Sequence, residues 1–258
     1  MGTKFSTRIW VSVVGIASIF LGSKGYADTV ISVADFGLKP DTRENAVAYV
    51  QKAIEACRGK EPVTLVFPEG RYDFWPQYAH EKNYYETNTY DVFPKRLAML
   101  FEGLHNITVD GNGSQFVMHD RIQPITVENC DGVTLKNFSI DWDIPLTAQA
   151  RVTKVGSDFF EIGINVLESP YIIEDGKLVF VGEGWKSALG SMIEFESDTH
   201  FVVPGTGDLV LGWNWGDYTA VSPRYGIVRL SRKGGFERYP AEGNWLVLRH
   251  STRDHAGI

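Results

Sequence analysis

The chain has 258 residues, with 25 Lys and Arg against 32 Asp and Glu, a formal net charge of −7. Residues 1–27 hold three basic and no acidic side chains, so the remainder carries 22 against 32, or −10. Such a surface repels nucleic acid and polyanionic glycans and suits a neutral partner, while the length allows one domain or two with a sizeable core.

Residues 1–27 read as an export signal. Lys4 and Arg8 precede an apolar run over 9–22 that is too short and too weakly flanked for a stable span, and Gly25-Tyr26-Ala27 offers a small-residue cleavage site. The mature chain is expected in the periplasm or outside a bacterial cell, with no membrane span of its own; the alternative is a retained N-terminal anchor. Residues 29–33 form a short β-type run. Asp41 and Glu44 have the spacing of a helix-start box, Val47, Val50, Ile54 and Cys57 recur on one face, and Gly59 closes the element. This predicts an amphipathic helix of about four turns. Over 62–74, PVTLVFPEGRYDF predicts a strand, a Pro-Glu-Gly turn and a second strand. Trp75, Tyr78, Tyr84, Tyr85 and Tyr90 then lie among polar residues, which predicts a folded loop over 75–93. Its aromatic faces either stack on sugar rings or pin the loop to the body. Cys57 and Cys130 sit at apolar positions and read as two buried thiols.

From 97 to 143 one unit is written twice. Residues 100–111 and 126–137 match at an offset of 26: Phe101 with Val127, Leu104 with Cys130, Ile107 with Val133, Val109 with Leu135, and Glu102 with Glu128. Period-two alternation inside such a repeat predicts short strands stacked in parallel as the coils of a solenoid, each needing a neighbour to complete its hydrogen bonds and core. From 148 to 243 the repeat is lost. Runs such as ARVTKV, FFEIGI, KLVFVG and YGIVRLS, separated by turns such as Glu174-Asp175-Gly176, predict an inserted antiparallel barrel or sandwich, with Trp185, Trp213 and Trp215 as packing residues. Coil-like alternation returns over 244–258 and stops at Ile258 without a covering element, so the chain is expected to be truncated. The expected organisation is a signal over 1–27, a cap and first coils over 28–147, the insertion over 148–243 and a resumed coil over 244–258.

In NFSIDWDIP (137–145), Phe138, Ile140 and Trp142 share the inward face, which leaves Asp141 and Asp143 together on the outward one. Two residues apart on a strand, their carboxylates are expected roughly 6 to 7 Å from each other, near the lower edge of the separation that inverting glycosidases use to admit a water. In that chemistry one acid protonates the leaving oxygen and the other deprotonates water. The bland alternative is a pair of solvated acids. Arg249, His250, Arg253, Asp254 and His255 form a second cluster with the mixed donors and acceptors that a polyhydroxyl ligand needs, or else a salt-bridged turn. No nucleotide-binding glycine loop, zinc-type spacing or serine elbow is present, so no cofactor or metal is expected.

The opening segment VADFG, the helix and VTLVFPEGRYDF resemble the start of secreted right-handed parallel β-helix carbohydrate enzymes. With DGVTLKNFSIDWDIPLTAQARV (131–152) and LVLRHSTRDHAGI (246–258), the whole arrangement resembles the α-1,3-galactosidases of glycoside hydrolase family 110. The resemblance implies an all-β fold, namely a right-handed parallel β-helix with an N-terminal capping helix and an inserted antiparallel β-barrel or sandwich. It also implies hydrolysis of terminal α-1,3-linked galactose, including the blood group B type, with inversion and without a cofactor. The partners would be α-galactosyl oligosaccharides or glycoconjugates. The family's catalytic carboxylates are expected on later coils and map onto no residue here. Asp141, Trp142, Asp143, Arg249, Arg253, Asp254 and His255 are candidates for substrate contact. Competing readings are a β-helix polysaccharide lyase and a non-catalytic glycan-binding or adhesin solenoid.

Overall fold

The computed structural model describes residues 29–84, 93–205, 208–210 and 218–250. The export signal over 1–27, Tyr85, Tyr90, Trp213, Trp215 and the candidate contacts Arg253, Asp254 and His255 lie outside the described residues. The elements of the first part are β1 (Thr29–Ser32), α1 (Val47–Cys57), β2 (Val63–Val66), β3 (Arg71–Phe74), β4 (His80–Tyr84), β5 (Phe93–Glu102), β6 (His105–Met118), β7 (Gln123–Glu128) and β8 (Asp131–Trp142). Those of the second are β9 (Thr147–Val155), β10 (Phe159–Ile164), β11 (Tyr171–Glu174), β12 (Lys177–Gly182), β13 (Trp185–Ala188), β14 (Ser191–Phe195), β15 (Asp208–Val210), β16 (Thr219–Arg224), β17 (Ile227–Ser231) and β18 (Trp245–Arg249).

The long strand β6 organises the first part. Its first half pairs in parallel with β2 and its second half with β3, while β8 lies along its other edge. The β6–β8 register carries the sequence offset of 26 from His105↔Asp131 to Asp110↔Lys136, then slips to 24 at Ser114↔Phe138. At the slip, a Cβ on Gly111 would lie 2.5 Å from Phe138 Cβ and 2.7 Å from the Asn137 carbonyl oxygen, so only glycine fits between the two strands there. The offset of 26 also appears in β5–β7, where Phe101 faces Val127 and Glu102 faces Glu128.

The apolar face of α1, with Val47, Val50, Ala53, Ile54 and Cys57, joins Leu65, Phe101, Leu104, Ile107, Val109 and Phe116 in one buried core. Phe116 stacks on Phe138 at 4.9 Å between ring centres. The helix is shorter than expected and begins without a side-chain cap. Asp41 instead accepts a hydrogen bond from the Arg71 amide, and a capping box sits earlier, at Ser32 and Asp35, on a single 3-10 turn. Cys57 is buried and free; burial pushes its thiol up to about 11. Cys130 is also free but only half-buried.

The expected right-handed parallel β-helix is corrected. The described strands divide among four separate sheets: a five-stranded sheet of β1, β2, β6, β3 and β8, a three-stranded β4-β5-β7, a seven-stranded β15-β14-β18-β9-β10-β17-β16 and a three-stranded β11-β12-β13. The last two are antiparallel throughout, and β4 is antiparallel to β5. The expected helix is present and packs on the parallel strands. The physical reason is that the chain turns back where a further coil would need it to continue: β4 runs antiparallel to β5, and Trp245–Arg249 runs antiparallel to both of its neighbours. A parallel neighbour needs a longer crossover. Trp245–Arg249, read from sequence as a returning coil, is a strand of the seven-stranded sheet, between β14 and β9.

The antiparallel part has its own core, in which Ala148, Ala150 and Val152 of β9 lie with Phe160, Ile162, Leu246 and Leu248. Trp142 packs against both cores and joins them. No described helix is long and apolar enough to cross a membrane.

Candidate functional site

Arg71 and Asp73 are two apart on β3, so both leave the face opposite Tyr72 and Phe74, which enter the core. The segment before α1 lies along this outer face. Asn45 bridges to Asp73, the Ala46 amide donates to the Asp73 carbonyl, and the Asn45 side chain accepts from the Trp75 amide and donates to the Gln77 carbonyl. Asp73 is thereby left 1 % exposed.

Register then assembles a site. Phe74 faces Met118 and Met118 faces Trp142, so the next residues along the three strands, Trp75, His119 and Asp143, come side by side. Their backbones continue the pairing, with the His119 amide donating to the Phe74 carbonyl and the Asp143 amide to that of Met118. Trp75 and His119 stack at 3.8 Å with an interplanar angle of 11°. Arg71 donates from Nε to Asp73 and from Nη2 to Asp143 Oδ1, the latter at 2.9 Å. Arg43, with a side chain 61 % exposed, stands 3.8 Å from Asp73 and 3.9 Å from Asp143.

The antiparallel part supplies one more group. Glu183, in the turn between β12 and β13, places Oε2 2.6 Å from His119 Nδ1, while His119 Nε2 lies 2.8 Å from Asp73 Oδ1. The turn reaches this far because Gly184 has φ +81 and comes so close that a Cβ there would be 2.9 Å from Asp120 Oδ2. Both ring nitrogens of His119 therefore face carboxylates, and the guanidiniums of Arg71 and Arg43 stand beside Asp73 and Asp143. Burial pushes the Asp73 carboxyl up, but hydrogen bonds from Arg71 and His119 outweigh it and hold the group below its ordinary value. The same hydrogen bond raises Arg71.

Donor atoms of His119, Asp143 and Glu183 lie within 4.8 Å of one another, close enough for one cation. Asp143 is already engaged by Arg71 and approached by Arg43, and two guanidiniums beside a third ligand disfavour a metal electrostatically. The arrangement suits a neutral polyhydroxyl ligand better. Its rim offers guanidinium donors beside carboxylate acceptors with Trp75 alongside, and every sugar hydroxyl both donates and accepts.

Of the residues singled out from sequence, Asp143 lies within this cluster and Trp142 beneath it, between the two cores. Asp141 is exposed and accepts from the Trp142 amide. Arg249 ends β18, and the neighbouring His250 is buried against Phe180 and Trp185, at 4.4 and 5.3 Å between ring centres. Arg43, Arg71, Asp73, His119 and Glu183 were missed. The Arg-x-Asp alternation of β3 was a usable signal for two of them; nothing local marks Glu183.

The paired Glu102 and Glu128 have a separate explanation. Lys82 sits between them, 2.8 Å from Glu102 and 2.7 Å from Glu128, and Tyr84 donates to Glu128. Lys82 and Tyr84 hold Glu128 below the usual carboxylate range. Two like charges in register on adjacent strands would otherwise repel.

Residues 148–246 match the family described as GLAA-B beta-barrel domain I. Alpha-1,3-galactosidase B of Bacteroides thetaiotaomicron is 58 % identical over 234 residues, 90 % of this chain and 38 % of that protein. Alpha-1,3-galactosidase A of Shewanella woodyi is 33 % identical over 226 residues (87 % and 36 %), and that of Bacteroides fragilis 34 % over 239 residues (90 % and 38 %). The chain spans less than two fifths of the length of these relatives. The resemblance carried by residues 131–152 is to the same group of proteins that these comparisons return.

Proposed function

We propose that this chain is part of an exported bacterial glycoside hydrolase that removes terminal α-1,3-linked galactose, of linear or blood group B type, with inversion. The observation that carries the proposal is the 58 % identity to an α-1,3-galactosidase across nine-tenths of the chain. The cluster of guanidiniums and carboxylates around Asp143 supports it, because a neutral sugar pairs with mixed donors and acceptors rather than with a field of one sign. In this reading Asp143 and Arg43 face the sugar, while Trp142, Asp73, His119 and Glu183 hold them from below. Asp141, Arg249, Arg253, Asp254 and His255 remain candidate contacts. The acid and base that cleave the bond are not assigned to residues of this chain.

The test is galactose release from an α-1,3-linked galactobiose by the protein containing this chain, followed by NMR. Free galactose with the β-anomer appearing first is expected, since inversion of an α-linkage yields β. No release, or α-galactose first, overturns the proposal. An unsaturated product from uronate polymers would favour a lyase instead.

A further inference from the structure

Between the antiparallel part and the parallel strands, the described contacts gather at one corner. There Trp142 packs on both cores, Gly184 abuts Asp120, the Arg121 guanidinium lies 5.9 Å from the Trp185 ring centre, and Glu183 meets His119. Only the last of these enters the ionic cluster. His119 has little freedom of its own: its side chain is 4 % exposed, one ring face lies on Trp75, and Nε2 is tied to the fully buried Asp73 carboxylate.

The charged groups around the ring are Asp73 and Arg71 from β3, Arg43 from the segment before α1, Asp143 from the end of β8, Asp120 and Arg121 next to it in sequence, and Glu183 from the opposite part. With Nε2 donating to Asp73, only Glu183 decides whether Nδ1 also carries a proton. A neutral partner there leaves Nδ1 a bare lone pair and removes one donor from the cluster.

We propose that Glu183 is a positioning residue of the sugar-contact site, contributed by the GLAA-B-type domain. It holds His119 as a double donor, and the ring in turn shares Asp73 with Arg71, so that the Arg71 guanidinium stays turned toward Asp143. The domain is then a working wall of the site rather than a remote scaffold. This inference rests on the galactosidase reading for its kinetic consequence but not for its structural one.

Two measurements test it separately. In the full chain at pH 7, nitrogen-15 NMR of His119 should show both ring nitrogens protonated, and in Glu183→Gln one of them should take the shift of a bare nitrogen. A singly protonated ring in the unmodified chain overturns the inference whatever the activity. In the protein containing this chain, Glu183→Gln should raise KM for α-1,3-galactobiose about tenfold with a smaller change in kcat, as removal of a ground-state contact network does. His119→Gln should lose more, because it leaves three carboxylates against two guanidiniums. The double variant restores the balance and should recover part of that loss. A KM for Glu183→Gln within twofold of the parent, or strictly additive losses in the double variant, overturns the positioning role. An unmodified protein that releases no galactose sinks the galactosidase reading, and the NMR result still decides the Glu183–His119 contact.

Discussion

Asp73 is the residue on which the polar cluster turns, because it is the one charge there with no access to water. Its carboxyl is held below the ordinary value despite burial, so the sign of its pH effect follows. The stability it contributes is fully present above the unfolded carboxyl value of about 4 and is lost as pH falls through the lower native value. Asp73→Asn is expected to destabilise the chain by about 2 kcal/mol at pH 7, since the buried side of the Arg71 guanidinium loses its carboxylate and His119 Nε2 loses its partner. It should also flatten the acid side of the stability curve below about pH 4. Urea midpoints measured from pH 3 to pH 7 check both, and an unchanged acid limb would contradict the assignment. The same residue shows how little of the site was visible locally. In GRYDFW the alternation placed Asp73 opposite the aromatics, but an outward acid on a strand is ordinarily solvated. What buries it is the Asn45–Ala46 segment, nearly thirty residues earlier.

At the scale of elements, the repeat of 26 is a pairing rule, and it breaks at one place. β6 and β8 keep that spacing through Asp110↔Lys136 and lose two residues before Ser114↔Phe138. The slip lets Phe138 stack on Phe116 and brings His119 level with Asp143, so the site depends on it. Gly111→Ala should therefore cost about 3 kcal/mol, because the new methyl meets Phe138 and the Asn137 carbonyl at less than contact distance. Gly103→Ala is the comparison. Gly103 has φ +62 and nothing within 4 Å, so only the backbone cost of about 1 kcal/mol is expected there. A Gly111→Ala loss in thermal unfolding no larger than that of Gly103→Ala would contradict the close approach of β8. The offset of 26 gave residues 126–137 their parallel partners, whereas the runs after 148 revealed strands without revealing partners. Period two states which side chains share a face, whereas partner and direction follow from how far the chain travels between strands.

For the whole molecule, two cores meet at Trp142, whose ring is in contact with both. Trp142→Ala is expected to remove about 3 kcal/mol and to uncouple the two parts, so that calorimetry resolves two transitions where the parent shows one. A single, merely lowered transition would mean that the Glu183–His119 contact and the Gly184 turn suffice to couple them. Sequence alone established the strand-rich composition, the helix face from Val47 to Cys57, the register of 26 and the presence of Asp143 among the candidates. Each of these is written in residues close together along the chain, where periodicity and turn chemistry act. The division into four sheets, the placement of β18 between β14 and β9, and the meeting of Asp73, His119, Asp143 and Glu183 came only with the folded chain. Those groups stand 24 to 46 positions apart in succession. Their contact is an outcome of packing and charge balance among distant segments, for which no local pattern exists.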